Sequence, residues 1–220
     1  MFPFLFAFAL GFKHSYDADH LLAVSNFLPR AKSLVSAVKL SLSWALGHML
    51  TAGTITIVLF FFKETFFSFI LSYFELLVSF MLIALGLFSL LALYVNRNSH
   101  AHKHDHSSVV SHSHPHLHFF DDDSKHAHQH MFWIGIIHGL ASNDELLLLL
   151  TVTLTLTSLA SVLLGTFLFS LGVVLGMIVF SIILTLPLLK IHSEKIQTGI
   201  TAIAAVLSIG YGVFSLVGFL

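Results

Sequence analysis

"GFKHSYDADHLLAVSN", residues 11–26, places one lysine, two histidines and two aspartates within the eight residues Lys13–His20. Apolar sequence flanks it on both sides, so the fold turns on why such a cluster stands where a bilayer is expected. The 220-residue chain is 56% hydrophobic and 10% charged, whereas soluble domains carry about a quarter charged residues. It reads as an integral membrane protein. Cysteine is absent, which removes disulfides, CxxC sites and thiolate chemistry. The formal net charge is −1, and the basic residues are too scattered for a nucleic-acid footprint. The opening "MFPFLFAFAL" lacks the positive segment and small-residue cleavage site of a signal peptide, and is expected to begin the first span.

Crossing a bilayer as a helix takes about 20 apolar residues. Six such runs are expected, near 3–28, 37–62, 68–95, 131–156, 159–188 and 196–219. Helices are the expected form because lipid offers no partner to unpaired backbone groups. The fold class is therefore all-α and polytopic. It divides into a first three-helix unit (1–95), a His-rich loop (96–130) and a second three-helix unit (131–220). The loop holds eleven of the sixteen histidines, mostly as H-x-H. Such a polar, low-complexity stretch cannot build a core and is expected to be disordered. Lys and Arg orient the chain. Arg30, Lys32, Lys39, Arg97, Lys103, Lys125, Lys190 and Lys195 fall on one side and only Lys63 on the other. The loop is then cytoplasmic and both termini are outside, in a multi-pass protein of the plasma membrane.

The two halves align. "GFKHSYDADHLL" falls on "GIIHGLASNDELL", "LGHM" (46–49) on "LGMI" (175–178), and "GLFSLLAL" (86–93) on "GVFSLVGF" (212–219), at offsets of 124, 129 and 126. Three matches in order suggest a duplicated three-helix unit, set against chance likeness among leucine-rich helices. An odd number of spans inverts the second copy, and inverted repeats place substrate near the midplane at broken helices.

A charge at the bilayer centre costs about 2.5–3.5 kcal/mol on insertion scales. Asp17, Asp19, Asp144 and Glu145 therefore read as functional. The bland alternative, a Lys13–Asp17 lock at i,i+4, explains one pair and leaves two histidines and a second acidic cluster unexplained. At about 100° per residue, Asp19 lies about 140° and His20 about 240° round from His14. Either the helix unwinds and converges them, which we favour, or Asp19 braces a ligand. In the fourth span His138, Ser142 and Glu145 share a face, with Asn143 and Asp144 beside them. His48 in "SWALGHMLTAGT" alone would be a hydrogen-bonded core residue, but Gly47, Gly53 and Thr51 around it favour close helix approach and a site. Glu75 lies nearer a span end and fits the interface. Imidazole with carboxylate and no sulfur from cysteine suits Ni²⁺, Co²⁺, Zn²⁺ or Mn²⁺. The candidate metal-binding residues are His14, Asp17, Asp19, His20, His48, His138, Asn143, Asp144 and Glu145. The His-rich loop is expected to tune transport rather than form the path.

"HSYDADH" is an H-x4-D-H string containing D-A-D-H, and resembles the signature of the nickel/cobalt transporter family. "LGHM" resembles that family's L-G-H-S segment, and "GLASNDELLLL" its G-[LF]-D-T-x-T-E stretch with Glu145 in the glutamate's place. The resemblance implies that His14, Asp19 and His20 bind the metal with His48 in the path. The chain departs from the family in having fewer spans, LGHM for LGHS and Ser-Asn-Asp-Glu for the later string. Its long histidine loop is closer to related nickel/cobalt efflux proteins.

The expected function is secondary transport of Ni²⁺ and/or Co²⁺, with the ion as cargo, no prosthetic cofactor, and the lipid bilayer as the other partner. No G-x-x-x-x-G-K-[ST] loop is present to bind ATP. A divalent ion moving inward through 100 mV gains about 4.6 kcal/mol, which favours uptake; efflux would need coupling to protons. The other readings are a Zn/Mn cation-diffusion facilitator, which lacks its paired H/D-x-x-x-D strings here; a membrane metalloenzyme, which lacks H-E-x-x-H and a nucleophile; and a metal sensor using the loop as a reservoir. No enzymatic activity is expected.

Overall fold

Apolar runs without strand-like alternation close their backbone bonds within each segment, and the chain folds accordingly into helices. The computed structural model describes residues 2–62, 68–98, 124–141, 159–191 and 193–219. Among them are seven α-helices: α1 (Phe2–His14), α2 (Ala18–Ser25), α3 (Leu34–Phe62), α4 (Ser68–Asn98), α5 (Ser124–Ala141), α6 (Leu159–Ile191) and α7 (Glu194–Phe219). A single 3-10 turn, Leu28–Arg30, follows α2, with Pro29 near its start. Three stretches within α4, α6 and α7 are long and apolar enough to cross a bilayer: Tyr73–Val95, Leu159–Ile191 and Glu194–Gly218. The 29-residue α3 is comparable to these in length.

The first run is not one helix. α1 stops at His14, and residues 15–17 form a turn in which Tyr16 N–H donates to the Lys13 carbonyl and Asp17 N–H to that of His14. Asp17 is extended, at φ −67° and ψ 147°, before α2 begins. At the other end of the first half, α5 starts at Ser124, inside the stretch expected to be loop. Residues 124–130 contain neither Gly nor Pro, so nothing stops the helix from reaching back toward the loop. Residues 99–123 of that loop, and 142–156 of the fourth expected span, lie outside the described residues.

Helix α3 packs on α5 and on α6, α1 on α6, α4 on α7, and α2 on α7. Ser41 bonds to Ser181, and Thr56 to Thr166, so α3 and α6 run antiparallel. Small residues bring backbones together at the crossings. A Cβ on Gly47 would strike the Phe132 carbonyl, and one on Gly135 that of Trp44. Gly11 and Gly172 meet the carbonyls of Phe169 and Phe8 in the same way. Small-residue contacts of this kind are how helices associate where lipid removes the hydrophobic drive between them. Ser79 Oγ and Ser215 Oγ join α4 to α7 at 2.9 Å, and Asn26 Nδ2 donates to Ser208 Oγ at 2.7 Å between α2 and α7. Large apolar side chains on the outside, such as Leu87, Leu91, Val206 and Phe214, are exposed as a lipid-facing surface requires.

Candidate metal centre

Four histidines converge from four helices. His14 ends α1, His20 lies in the first turn of α2, His48 is the central residue of α3, and His138 lies near the end of described α5. All are buried, at 3%, 1%, 0% and 0% exposure. The helix break brings the first two together. His14 and His20 have ring centroids 4.4 Å apart, although a continuous helix would hold them far round from each other. His20 is the hub, at 5.3 Å from His48 and 5.2 Å from His138, and His14 lies 5.7 Å from His48.

Carboxylates fix the rings. His14 Nδ1 pairs with Asp17 Oδ2 at 2.7 Å, and His20 Nδ1 with Asp19 Oδ1 at 2.8 Å. Asp19 Oδ1 also accepts the His20 backbone N–H at 2.9 Å, so one carboxylate caps the start of α2 and orients its imidazole. His138 Nδ1 bonds to the Ile134 carbonyl at 3.3 Å. A carbonyl only accepts, so Nδ1 of His138 carries the proton. An ionised carboxylate likewise only accepts. In these three rings the proton therefore sits on Nδ1, which makes Nε2 the acceptor nitrogen, the arrangement common to metal-binding histidines. His20 Nε2 is buried and has no hydrogen-bond partner among the described residues. Two groups of side chains bring one donor atom each to within 4.8 Å of one another: His14, His20 and His48, and Asp19, His20 and His138. Imidazole nitrogens with a carboxylate oxygen fit a borderline divalent transition-metal ion.

The expected Lys13–Asp17 pair is present, at 3.0 Å, but the same carboxylate also holds His14, so lock and site share one residue. Lys13 is 65% exposed while His14 beside it is buried. Glu75 is exposed on α4. Asn143, Asp144 and Glu145 lie outside the described residues. Two side chains absent from the sequence reading wall the site. Trp44 is fully buried, with its ring 5.0 Å from His20, 5.3 Å from His48 and 5.6 Å from His138. Phe169 of α6 lies 5.5 Å from His14. The i,i+4 spacing of Trp44 and His48 puts them on one face and was the available signal for the first. Phe169 reaches its place only through the α1–α6 crossing, which no local pattern announces.

The model of a family described as cytochrome C biogenesis protein transmembrane region matches residues 17–214. The chain is also similar to the urease accessory protein UreH of Bacillus sp. (strain TB-90), 28% identical over 197 residues, covering 86% of this chain and 82% of that one. No solved structure matches.

Proposed function

The chain belongs to the cytochrome C biogenesis protein transmembrane region family, and from that premise we propose that it is a membrane transporter of Ni²⁺ or Co²⁺. The observation that carries this reading is the buried cluster of His14, His20, His48 and His138, with Asp17 and Asp19 on the Nδ1 atoms of the first two. The family's description speaks of cytochrome c biogenesis. This chain has no cysteine, so thiol–disulfide exchange has no residue to act through, and its buried polar groups are those of a cation site. A relative described as a urease accessory protein is compatible with nickel as the cargo.

We further infer six crossings arranged as an inverted 3+3 repeat. The packing of α1 on α6 has its counterpart in α5 on α3, and α2 on α7 in α5 on α4. Gly11 and Gly135, Gly47 and Gly176, and Gly86 and Gly212 are paired by the three sequence offsets, and each lies at a crossing where a Cβ would meet the neighbouring helix. In this arrangement His48, with fourteen residues of α3 on either side, sits about 21 Å from each end of its helix, at half depth. Both termini face outward and the histidine loop faces the cytoplasm of a plasma-membrane protein.

The chain acts as a permease and not as an enzyme. A hydrated ion exchanges water for the Nε2 atoms, whose rings are already oriented, and Asp19 offsets part of its charge. Trp44 and Phe169 exclude bulk water, which strengthens each ion–ligand interaction. Rocking of one three-helix unit against the other exposes the ion to the opposite side. The membrane potential drives a divalent ion inward by about 4.6 kcal/mol per 100 mV, so uptake is the direction. The test is flux in proteoliposomes under an imposed potential, inside negative, comparing Ni²⁺, Co²⁺, Zn²⁺ and Mn²⁺. Wild-type protein should accumulate Ni²⁺ and Co²⁺, and folded His20→Ala protein should not. Normal accumulation by His20→Ala sinks the assignment of the site; flux that needs an opposing proton gradient points to efflux.

A further inference from the structure

We propose that the histidine cluster holds two overlapping positions for the ion: one made by His14, His20 and His48, the other by Asp19, His20 and His138, with His20 common to both. The proposal rests on the transport reading above and deepens it. Two donors on one ion, each at about 2.1 Å, stand at most about 4.2 Å apart. Within each trio the donor atoms lie within 4.8 Å of one another, so small ring rotations close the first around an ion, and the second closes once Asp19 turns away from the His20 Nδ1 that it holds at 2.8 Å. The ring contacts fall the same way. His14, His20 and His48 touch one another, while His138 touches His20 and Trp44.

The trios differ in charge and in origin. The first offers three neutral imidazoles, on α1, α2 and α3. The second replaces one imidazole by the Asp19 carboxylate and reaches across to α5. A buried dication is stabilised more by the second set, because an anionic ligand offsets charge that imidazole cannot. The first set is the more selective for nitrogen-preferring ions, because hard, oxygen-preferring Mg²⁺ and Ca²⁺ gain little from it. His20 Nε2, buried and lacking a hydrogen-bond partner among the described residues, keeps hold of the ion while the remaining ligands exchange. The ion is thus handed between helices without being released into the low-dielectric interior. Selection occurs at the imidazole trio and retention at the carboxylate trio.

The test uses the full-length protein in detergent, carrying Trp133→Phe. Trp133 is 62% exposed on the outer surface, and the chain has two tryptophans, so Trp44 remains the sole reporter, in ring contact with His48 and His138. Ni²⁺ is titrated alone, with binding read from Trp44 fluorescence and coordination from nickel X-ray absorption. His14→Gln and His48→Gln should each weaken binding about tenfold, a ligand-scale loss, and leave a shell containing a carboxylate oxygen and fewer imidazoles. Asp19→Asn and His138→Gln should weaken it similarly but leave a shell whose protein donors are imidazoles only. His20→Gln should weaken binding beyond about a hundredfold, since neither trio survives. Each trio supplies two variants, so the grouping is readable if one of them does not fold. The same residual shell in all four variants, or loss of binding in each, overturns the two-position arrangement in favour of one shared site. Wild-type protein that binds no Ni²⁺ overturns the transport reading itself.

Discussion

The crossing of α1 with α6 and that of α3 with α5 are built alike and used differently. In the first, Gly11, Gly172 and Gly176 lie against Phe169, Phe8 and Ser15; in the second, Gly47, Gly135 and Gly139 lie against Phe132, Trp44 and His48. Both seams are largely backbone on backbone, with the Ser15 and Thr51 side chains against Gly176 and Gly139. Next to Gly47 stands His48, and next to the corresponding Gly176 stands Met177, both buried. One of these side chains belongs to the histidine cluster and the other is an apolar filler. The two crossings thus pack alike while their chemistry differs. Among the described residues, three of the four clustered histidines come from the first fifty residues and only His138 from beyond them.

Substitutions can break or sharpen that contrast. The largest effect is expected where the seams are alike. Gly47→Leu and Gly11→Leu should each destabilise the protein by about 3 kcal/mol, because the new side chain meets a neighbouring backbone carbonyl that cannot swing away. Thermal unfolding in detergent measures this, and a silent Gly11→Leu would end the likeness of the two crossings. Where the seams differ, His48→Leu should weaken Ni²⁺ binding tenfold or more, whereas Met177→Leu, a volume-conserving swap, should leave it within about twofold and cost under about 1.5 kcal/mol of stability. Comparable losses from both would mean that Met177 belongs to the site. Gly53 is the control on α3 itself. Nothing lies within 4 Å of a Cβ there, so Gly53→Ala should leave stability unchanged or raise it by less than about 1 kcal/mol. Smallest of all, Ser79→Ala removes one hydroxyl bond between α4 and α7 and should cost about 0.6 kcal/mol, the average for such bonds in membrane helices.

What the sequence made legible was the conflict in residues 14–20. His14, Asp19 and His20 cannot meet on a straight helix, and the chain resolves this by ending α1 at His14 and restarting at Ala18. The close approach beside His48 was readable in part: Gly47 packs on the Phe132 carbonyl, whereas a Cβ on Gly53 would meet nothing. The division of labour between carboxylate and imidazole was not readable. Whether Asp17 binds Lys13, His14 or an ion depends on the turn that follows the break, and it binds both of the first two. The hydroxyl pairings Ser41–Ser181 and Thr56–Thr166 depend on the antiparallel register of α3 and α6, which apolar periodicity leaves undetermined.

The turn between α1 and α2 carries a mechanical consequence. The His20 amide donates to the Asp19 side chain, and Asp17 is extended, so the break is spanned by the turn bonds of Tyr16 to Lys13 and Asp17 to His14 rather than by a continuous helical ladder. A bend there swings the α1 end, with His14, while α2 holds His20 in place beside α7. The Gly11–Gly172–Gly176 seam offers few interlocked side chains to resist the glide of α1 along α6. A pivot and a seam of small residues thus coincide beside the histidine cluster, the two elements a hinge-and-shear motion needs.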